Sequence, residues 1–182
     1  MRNWLIRRSI DAFERRYDYD MSYAREMLEA SPRAVMHFSK VVAMAAHRED
    51  VPLEAWYAAK IAATLAEDCG PCTQLGVRMA EEAGVKGSVL KAILEGDDRA
   101  MGADAALGYR FARATISHDA ALDRLHDEVV RRWGARALVS LALVIAATRV
   151  FPAVKYALGH GQSCQRVEIA GEGAAVPVRH AA

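Results

Sequence analysis

Cys69-Gly70-Pro71-Cys72 is the stretch of this chain best equipped for chemistry, with Glu67-Asp68 before it and Thr73-Gln74-Leu75 after it. Two thiols three positions apart close into a disulfide when the second lies one helical turn beyond the first. The i to i+3 Cα separation in a helix, roughly 5 Å, falls inside the range a disulfide tolerates. So small a ring is a poor staple, contributing about 2 kcal/mol by chain entropy against about 3 for a fifteen-residue loop. Redox chemistry or metal binding therefore explains the spacing better than stabilisation does. A thiol with its ordinary pKa near 8.5 is only about 3% thiolate at pH 7, and lowering it to about 6.5 at a helix N-terminus makes it roughly three-quarters thiolate. Backbone donors at the start of a helix favour that anion, although Pro71 supplies no N–H. Glu67 or Asp68 is placed to move protons, yet their charge disfavours a neighbouring thiolate. Zinc is the competing use, with Cys69 and Cys72 as half a site and His160 and Cys164 as the rest. A helical domain of this size has no folding need for a metal, so the expectation is no metal and no bound organic cofactor.

The elements that must position these thiols read almost entirely as helix. Trp4, Ile6, Ile10 and Phe13 form the apolar side of a first amphipathic helix, with Arg7, Arg8, Arg15 and Arg16 in solvent. Ser31-Pro32 signals a helix start, a capping serine followed by proline at the first helical position. Pro52 opens an alanine-rich helix over Leu53 to about Ala66, and another runs from near Gly70 to Gly84. A shorter helix closes at Gly96, and the next spans Asp98 to about Ile116. His118-Asp119 interrupts the pattern, and Asp119 is placed to cap the helix carrying Leu122, Leu125 and Val129. The last long helix is expected from Ala135 to about Leu158, kinked at Pro152. No stretch alternates as a strand beside turn residues. The expected organisation is one all-α domain, a multi-helix bundle over 1–159, followed by a loosely ordered tail over 160–182.

Composition narrows the function classes. With 182 residues, 53% hydrophobic and 26% charged, the chain is globular rather than disordered. A formal net charge of +1 gives no electrostatic case for nucleic acid. Three cysteines are too few for a secreted disulfide framework and leave Cys164 over. Charge in Met1-Arg2-Asn3-Trp4-Leu5-Ile6-Arg7-Arg8 falls where a secretory signal needs an apolar core. The most apolar run, Ala137 to Ala147, meets Arg149 and Pro152 before it can span a bilayer. A cytoplasmic protein without membrane or nucleic-acid partners is expected.

The dipeptide between the cysteines is the one thioredoxins carry, but a helix precedes it here where thioredoxin has a strand. Residues 50–100 instead resemble the alkylhydroperoxidase D and carboxymuconolactone decarboxylase family. The likeness rests on a helix into Leu65-Ala66-Glu67-Asp68, the Cys-x-x-Cys opening another helix, and Ala80-Glu81-Glu82-Ala83-Gly84-Val85. A looser likeness covers Glu29-Ala30-Ser31-Pro32, the helix to His47-Arg48, and the close at Ala157-Leu158-Gly159, in the manner of the longer peroxidase-related members. The resemblance implies an all-α fold on a helical hairpin, assembly as trimers or hexamers, and Cys72 as the peroxide-reactive sulfur with Cys69 resolving it. Helix-dipole reasoning alone would activate Cys69 instead.

The family pattern also has a glutamate twelve residues before the first cysteine and a histidine four after the second, forming a proton relay. Tyr57 and Gly76 stand at those places. Glu67 is the nearest replacement, His118 the best remote imidazole, and Gln74 either a solvated residue or a substrate contact. The implied function is thiol-dependent antioxidant activity: hydroperoxide reduction by Cys69, Cys72 and Glu67, restored by a dithiol or disulfide reductant protein. The alternatives are a decarboxylase or lactone-processing enzyme, which needs an anion-binding cleft that Arg78, Arg99 and Arg110 do not obviously assemble, and a non-catalytic helical oligomer that senses redox state.

Overall fold

A computed structural model describes residues 2–162, 166–170 and 176–177. Eight helices run in order: α1 (Arg2–Tyr17), α2 (Ser22–Ala30), α3 (Pro32–Ala46), α4 (Leu53–Ala66), α5 (Gly70–Glu82), α6 (Gly87–Glu95), α7 (Ala103–Ser117) and α8 (Leu122–Ala157). Two short strands follow, β1 (Arg166–Val167) and β2 (Val176–Pro177), paired antiparallel with Val167 opposite Val176. The all-α reading of the sequence agrees with this architecture.

Helix α4 is the axis of the fold, packing against α5, α6, α7 and α8. Its alanines explain why: Ala55, Ala58, Ala59, Ala62 and Ala63 are all buried and leave room for neighbouring backbones. The closest approach is at Gly108 of α7, where any Cβ would collide with the backbone of Ala55. Around α4 gathers the main core, including Ile61, Val77, Leu90, Ile93, Leu107, Leu141 and Val144. A second, smaller cluster joins α1, the α1–α2 connection and α2 through Ile10, Tyr19, Tyr23, Ala24 and Leu28. Phe38, Leu75 and Val154 pack onto it from α3, α5 and α8.

Several helix ends follow the sequence signals. Ser31 Oγ accepts the N–H of Ala34 at 3.2 Å, with Pro32 beginning α3. Gly96 ends α6 in the left-handed region at φ 68°, a conformation glycine reaches without steric cost. The Asp119 carboxylate accepts the N–H of Ala121 at 2.7 Å just ahead of α8, while the capping position itself is Ala121.

The last helix begins where the sequence places it: the break inside α8 is at Gly134, with φ 85° and ψ 174°, immediately before Ala135, and Pro152 lies within helical backbone. Glycine alone adopts that geometry readily, whereas proline needs only a helical φ and the loss of one N–H. With Arg149 and Pro152 both inside it, α8 is long and apolar enough to cross a membrane by length and composition, and in this fold α3, α4 and α7 pack against it. The described part of the tail packs onto the fold. Val167 and Ile169 are buried in the main core, alternating with exposed Arg166 and Glu168 in a segment too short to read as a strand.

Candidate redox site at the head of helix five

The turn between α4 and α5 delivers both cysteines. Asp68 takes a left-handed conformation at φ 48°, and the Cys69 N–H returns to the Thr64 carbonyl of α4 at 3.3 Å. Cys69 then caps α5 in extended backbone, with Pro71 in the first turn where a missing N–H costs little. The Thr73 N–H and hydroxyl both bond the Cys69 carbonyl, at 2.9 and 3.0 Å, and the same hydroxyl reaches Thr64 Oγ1 at 3.0 Å. One turn of helix thus separates the thiols, their Cα atoms lie 5.3 Å apart, and the sulfurs are joined as a disulfide.

The two sulfurs occupy different surroundings. Cys69 is fully buried, and its Sγ accepts the N–H of Cys72 at 3.4 Å, so the helix N-terminus is aimed at this sulfur. The remaining first-turn donor, Gly70 N–H, is taken by the Gln162 carbonyl at 3.0 Å. Cys72 retains 6% exposure, and its Sγ lies 3.9 Å from the hydroxyl of Tyr19, within reach of a sulfur hydrogen bond. Behind that phenol Lys155 of α8, 1% exposed, donates to the Tyr19 hydroxyl at 3.3 Å. Its ammonium also sits 4.6 Å over the Tyr19 ring and 5.4 Å over that of Tyr23. Burial pulls the Lys155 ammonium below its ordinary pKa, opposed by the charge of Asp20. Burial likewise raises both phenols, Tyr23 to about 12, so each stays protonated at neutral pH.

Sequence reasoning missed Tyr19 and Lys155. They lie 53 residues before Cys72 and 136 residues after Tyr19, respectively, and no local spacing links them. Only the docking of the small cluster against α5 and α8 brings them to the sulfur. The one available signal was a lysine in the final helix between apolar residues.

The predicted site residues scatter by comparison. Glu67, at the C-terminal cap of α4, is ion-paired with Arg149 Nε of α8. Tyr57 is buried and packs edge-on against Trp56 at 4.9 Å between ring centroids, so it serves the core. Gly76 lies against Ile61, where a Cβ would sit 3.5 Å from Cγ1, and it offers no side chain to the sulfurs. His118 is an exposed left-handed residue ending α7. Gln74 neither floats in solvent nor faces a cleft: its amide pairs twice with the backbone of Glu168, at 2.9 and 2.8 Å, pinning the tail to α5. Arg78 clamps the end of α1 through the carbonyls of Tyr17 and Asp18. Arg110 lines a surface cleft of about 380 Å³ together with Arg113 and Arg124 on α7 and α8, and no cysteine borders it.

Among the described residues no group of three His, Cys, Asp or Glu side chains is arranged to hold a metal ion. His160 pairs with Glu26 at 2.8 Å, and Cys164 lies outside the described residues. Compared with protein families, characterised proteins and solved structures, the chain finds no match.

Proposed function

We propose that this chain is a thiol-dependent antioxidant protein that reduces hydroperoxides through Cys69 and Cys72. The observation that carries the reading is the asymmetry of the pair: both sulfurs are buried, one with no exposure beneath the helix N-terminus, the other with 6% exposure beside a phenol. In the cycle, the Cys72 thiolate attacks one oxygen of the hydroperoxide, the O–O bond breaks, and the departing alkoxide takes a proton to leave as an alcohol. Cys72 is then a sulfenic acid. The Cys69 thiol attacks its sulfur, water leaves, and the Cys69–Cys72 disulfide closes. A dithiol protein returns two electrons and two protons by exchange through a mixed disulfide. The reading includes a cytoplasmic location, where such reductants abound, and a homo-oligomer of trimeric or hexameric type.

Glu67 enters this scheme as a charge paired with Arg149 at the end of α4 rather than as the proton carrier. The carboxymuconolactone decarboxylase-like alternative draws on the three arginines of the α7–α8 cleft. The redox-sensing alternative draws on the occupation of the relay positions by Tyr57 and Gly76. One assay separates them: turnover of hydrogen peroxide and an organic hydroperoxide by the purified protein with excess dithiol, alongside Cys69→Ser and Cys72→Ser. Loss of turnover in both, with Cys69→Ser still undergoing a single oxidation to a trappable sulfenic acid, is expected. Turnover in Cys72→Ser equal to that of the parent chain sinks the proposal, and no turnover by the parent leaves the sensor in its place.

A further inference from the structure

Lys155 is the most unusual buried group in the molecule. It is the only charged side chain among the fully buried described residues, and the partner its ammonium donates to is a phenol rather than a carboxylate. An ammonium withdrawn from water without a contacting anion is costly. The chain from Lys155 Nζ to Tyr19 Oη to Cys72 Sγ, 3.3 and then 3.9 Å, ends on the disulfide. Because Lys155 donates to the phenol oxygen, the phenol's own hydrogen is free to turn away from the lysine. Two acceptors stand there, Cys72 Sγ and the neighbouring hydroxyl of Tyr23.

The geometry points to a built-in counterion for one sulfur: Tyr19 donates a hydrogen bond to the thiolate of Cys72, and Lys155, acting through Tyr19 as a positioning residue, neutralises the charge that forms when the disulfide is reduced. In the oxidised protein Cys72 carries no charge, and Lys155 feels the field of Asp20, whose carboxylate is itself held by the N–H and hydroxyl of Ser22. A dithiol then delivers two electrons. Its two protons divide between Cys69, which becomes a thiol, and solvent, while Cys72 keeps its electron pair as thiolate facing Tyr19. Atoms and charge balance: disulfide plus dithiol gives the reductant's disulfide, one thiol, one thiolate and one proton. The helix N-terminus favours Cys69 through a single long N–H contact, whereas a phenol hydroxyl backed by an ammonium favours Cys72. Cys72 is thereby the attacking sulfur.

Tyr23 from α2 and Asp20 from the α1–α2 connection face the lysine and the phenol; Asp20 favours the ammonium and opposes the thiolate. At the sulfur end Glu67, paired with Arg149, and Asp68 precede the cysteines and oppose the thiolate as well. The inference rests on Cys72 being the reactive thiol proposed above, but not on a hydroperoxide being its substrate.

The test uses the full chain with Cys69→Ser and Cys164→Ser, so that Cys72 is the only thiol. The rate of alkylation by iodoacetamide is followed against pH, with thiolate absorbance in the ultraviolet as a second readout. The midpoint is expected well below the ordinary thiol value of about 8.5. Lys155→Met, which removes the charge at nearly constant volume, and Tyr19→Phe, which removes one hydroxyl, are each expected to raise it by about one pH unit or more. A purely structural role for either residue would change folding without moving this midpoint. If Lys155→Met does not fold, Tyr19→Phe decides alone. A midpoint unmoved in a folded variant of either kind overturns the inference. Since alkylation requires no peroxide, failure of the peroxidase assay and failure of this one are distinguishable.

Discussion

Two buried glycines face α4, and the same substitution at each should have opposite effects. Gly108 of α7 lies against the backbone of Ala55: a Cβ there would be 2.8 Å from its carbonyl carbon and closer still to its oxygen. That is about 1 Å inside the separation of roughly 3.5–4.0 Å at which carbon atoms pack. Backbone cannot swing aside as a side chain does, so α4 and α7 must part along their most extensive contact. Gly76 of α5 has a different neighbour, the Ile61 side chain, with Cγ1 3.5 Å from a built Cβ, an ordinary contact. Both replacements gain about 0.5–1 kcal/mol from putting alanine in a helix in place of glycine. For Gly76→Ala nothing opposes that gain. For Gly108→Ala overpacking of about 1–3 kcal/mol or more exceeds it, giving a net loss of about 1–2 kcal/mol. In a chain of this length 1 kcal/mol moves the melting temperature by about 2–4 °C. Thermal and urea unfolding should therefore show Gly76→Ala at or above the parent and Gly108→Ala about 2–8 °C below it. Gly108→Ala as stable as the parent, or Gly76→Ala equally damaged, would refute the account of α4 as a helix whose small residues admit its neighbours at backbone distance.

Lys60, whose ammonium lies 4.7 Å over the Trp56 ring, is pulled down to about 8 by burial. Below pH 8 the folded chain carries a disfavoured charge that the unfolded chain does not feel, so Lys60→Met should stabilise the protein at pH 7, by about 1–2 kcal/mol once the cation–π contact is set against desolvation. The advantage should fade between pH 8 and the ordinary lysine value of 10.5, as the folded state loses its proton first; a pH-independent difference in urea midpoints would argue against it. Val167→Ala should cost about 1–3 kcal/mol and hasten proteolysis of residues beyond Gly159, because that valine is fully buried in the core; unchanged protease sensitivity would mean that the tail's docking is not held there. Glu67→Gln should change stability by less than about 1 kcal/mol, as for an exposed ion pair. It should leave peroxide turnover within about threefold, and a loss of tenfold or more would return the proton relay to Glu67.

What the sequence alone determined is everything carried by neighbours along the chain. Helical periodicity, Ser31-Pro32, Gly96 and the alanines of α4 act within a few residues, so the all-α class and most helix positions were legible. So was the cysteine pair, since three residues and one helical turn place its sulfurs within bonding reach whatever surrounds them. The break in α8 was legible as well, since the sequence already starts its last helix at Ala135 and the glycine before it takes the required φ of 85°. The surroundings of each sulfur were a different matter. That Glu67 turns to Arg149, that Gln74 holds the tail, and that Tyr19 and Lys155 stand behind Cys72 depend on which helices dock together. Docking is set by the shapes of apolar faces far apart in sequence, and a hydrogen bond spanning 136 residues leaves no local trace. The sequence determined which two sulfurs can meet; the tertiary structure decided which of them stands beside Tyr19 and Lys155.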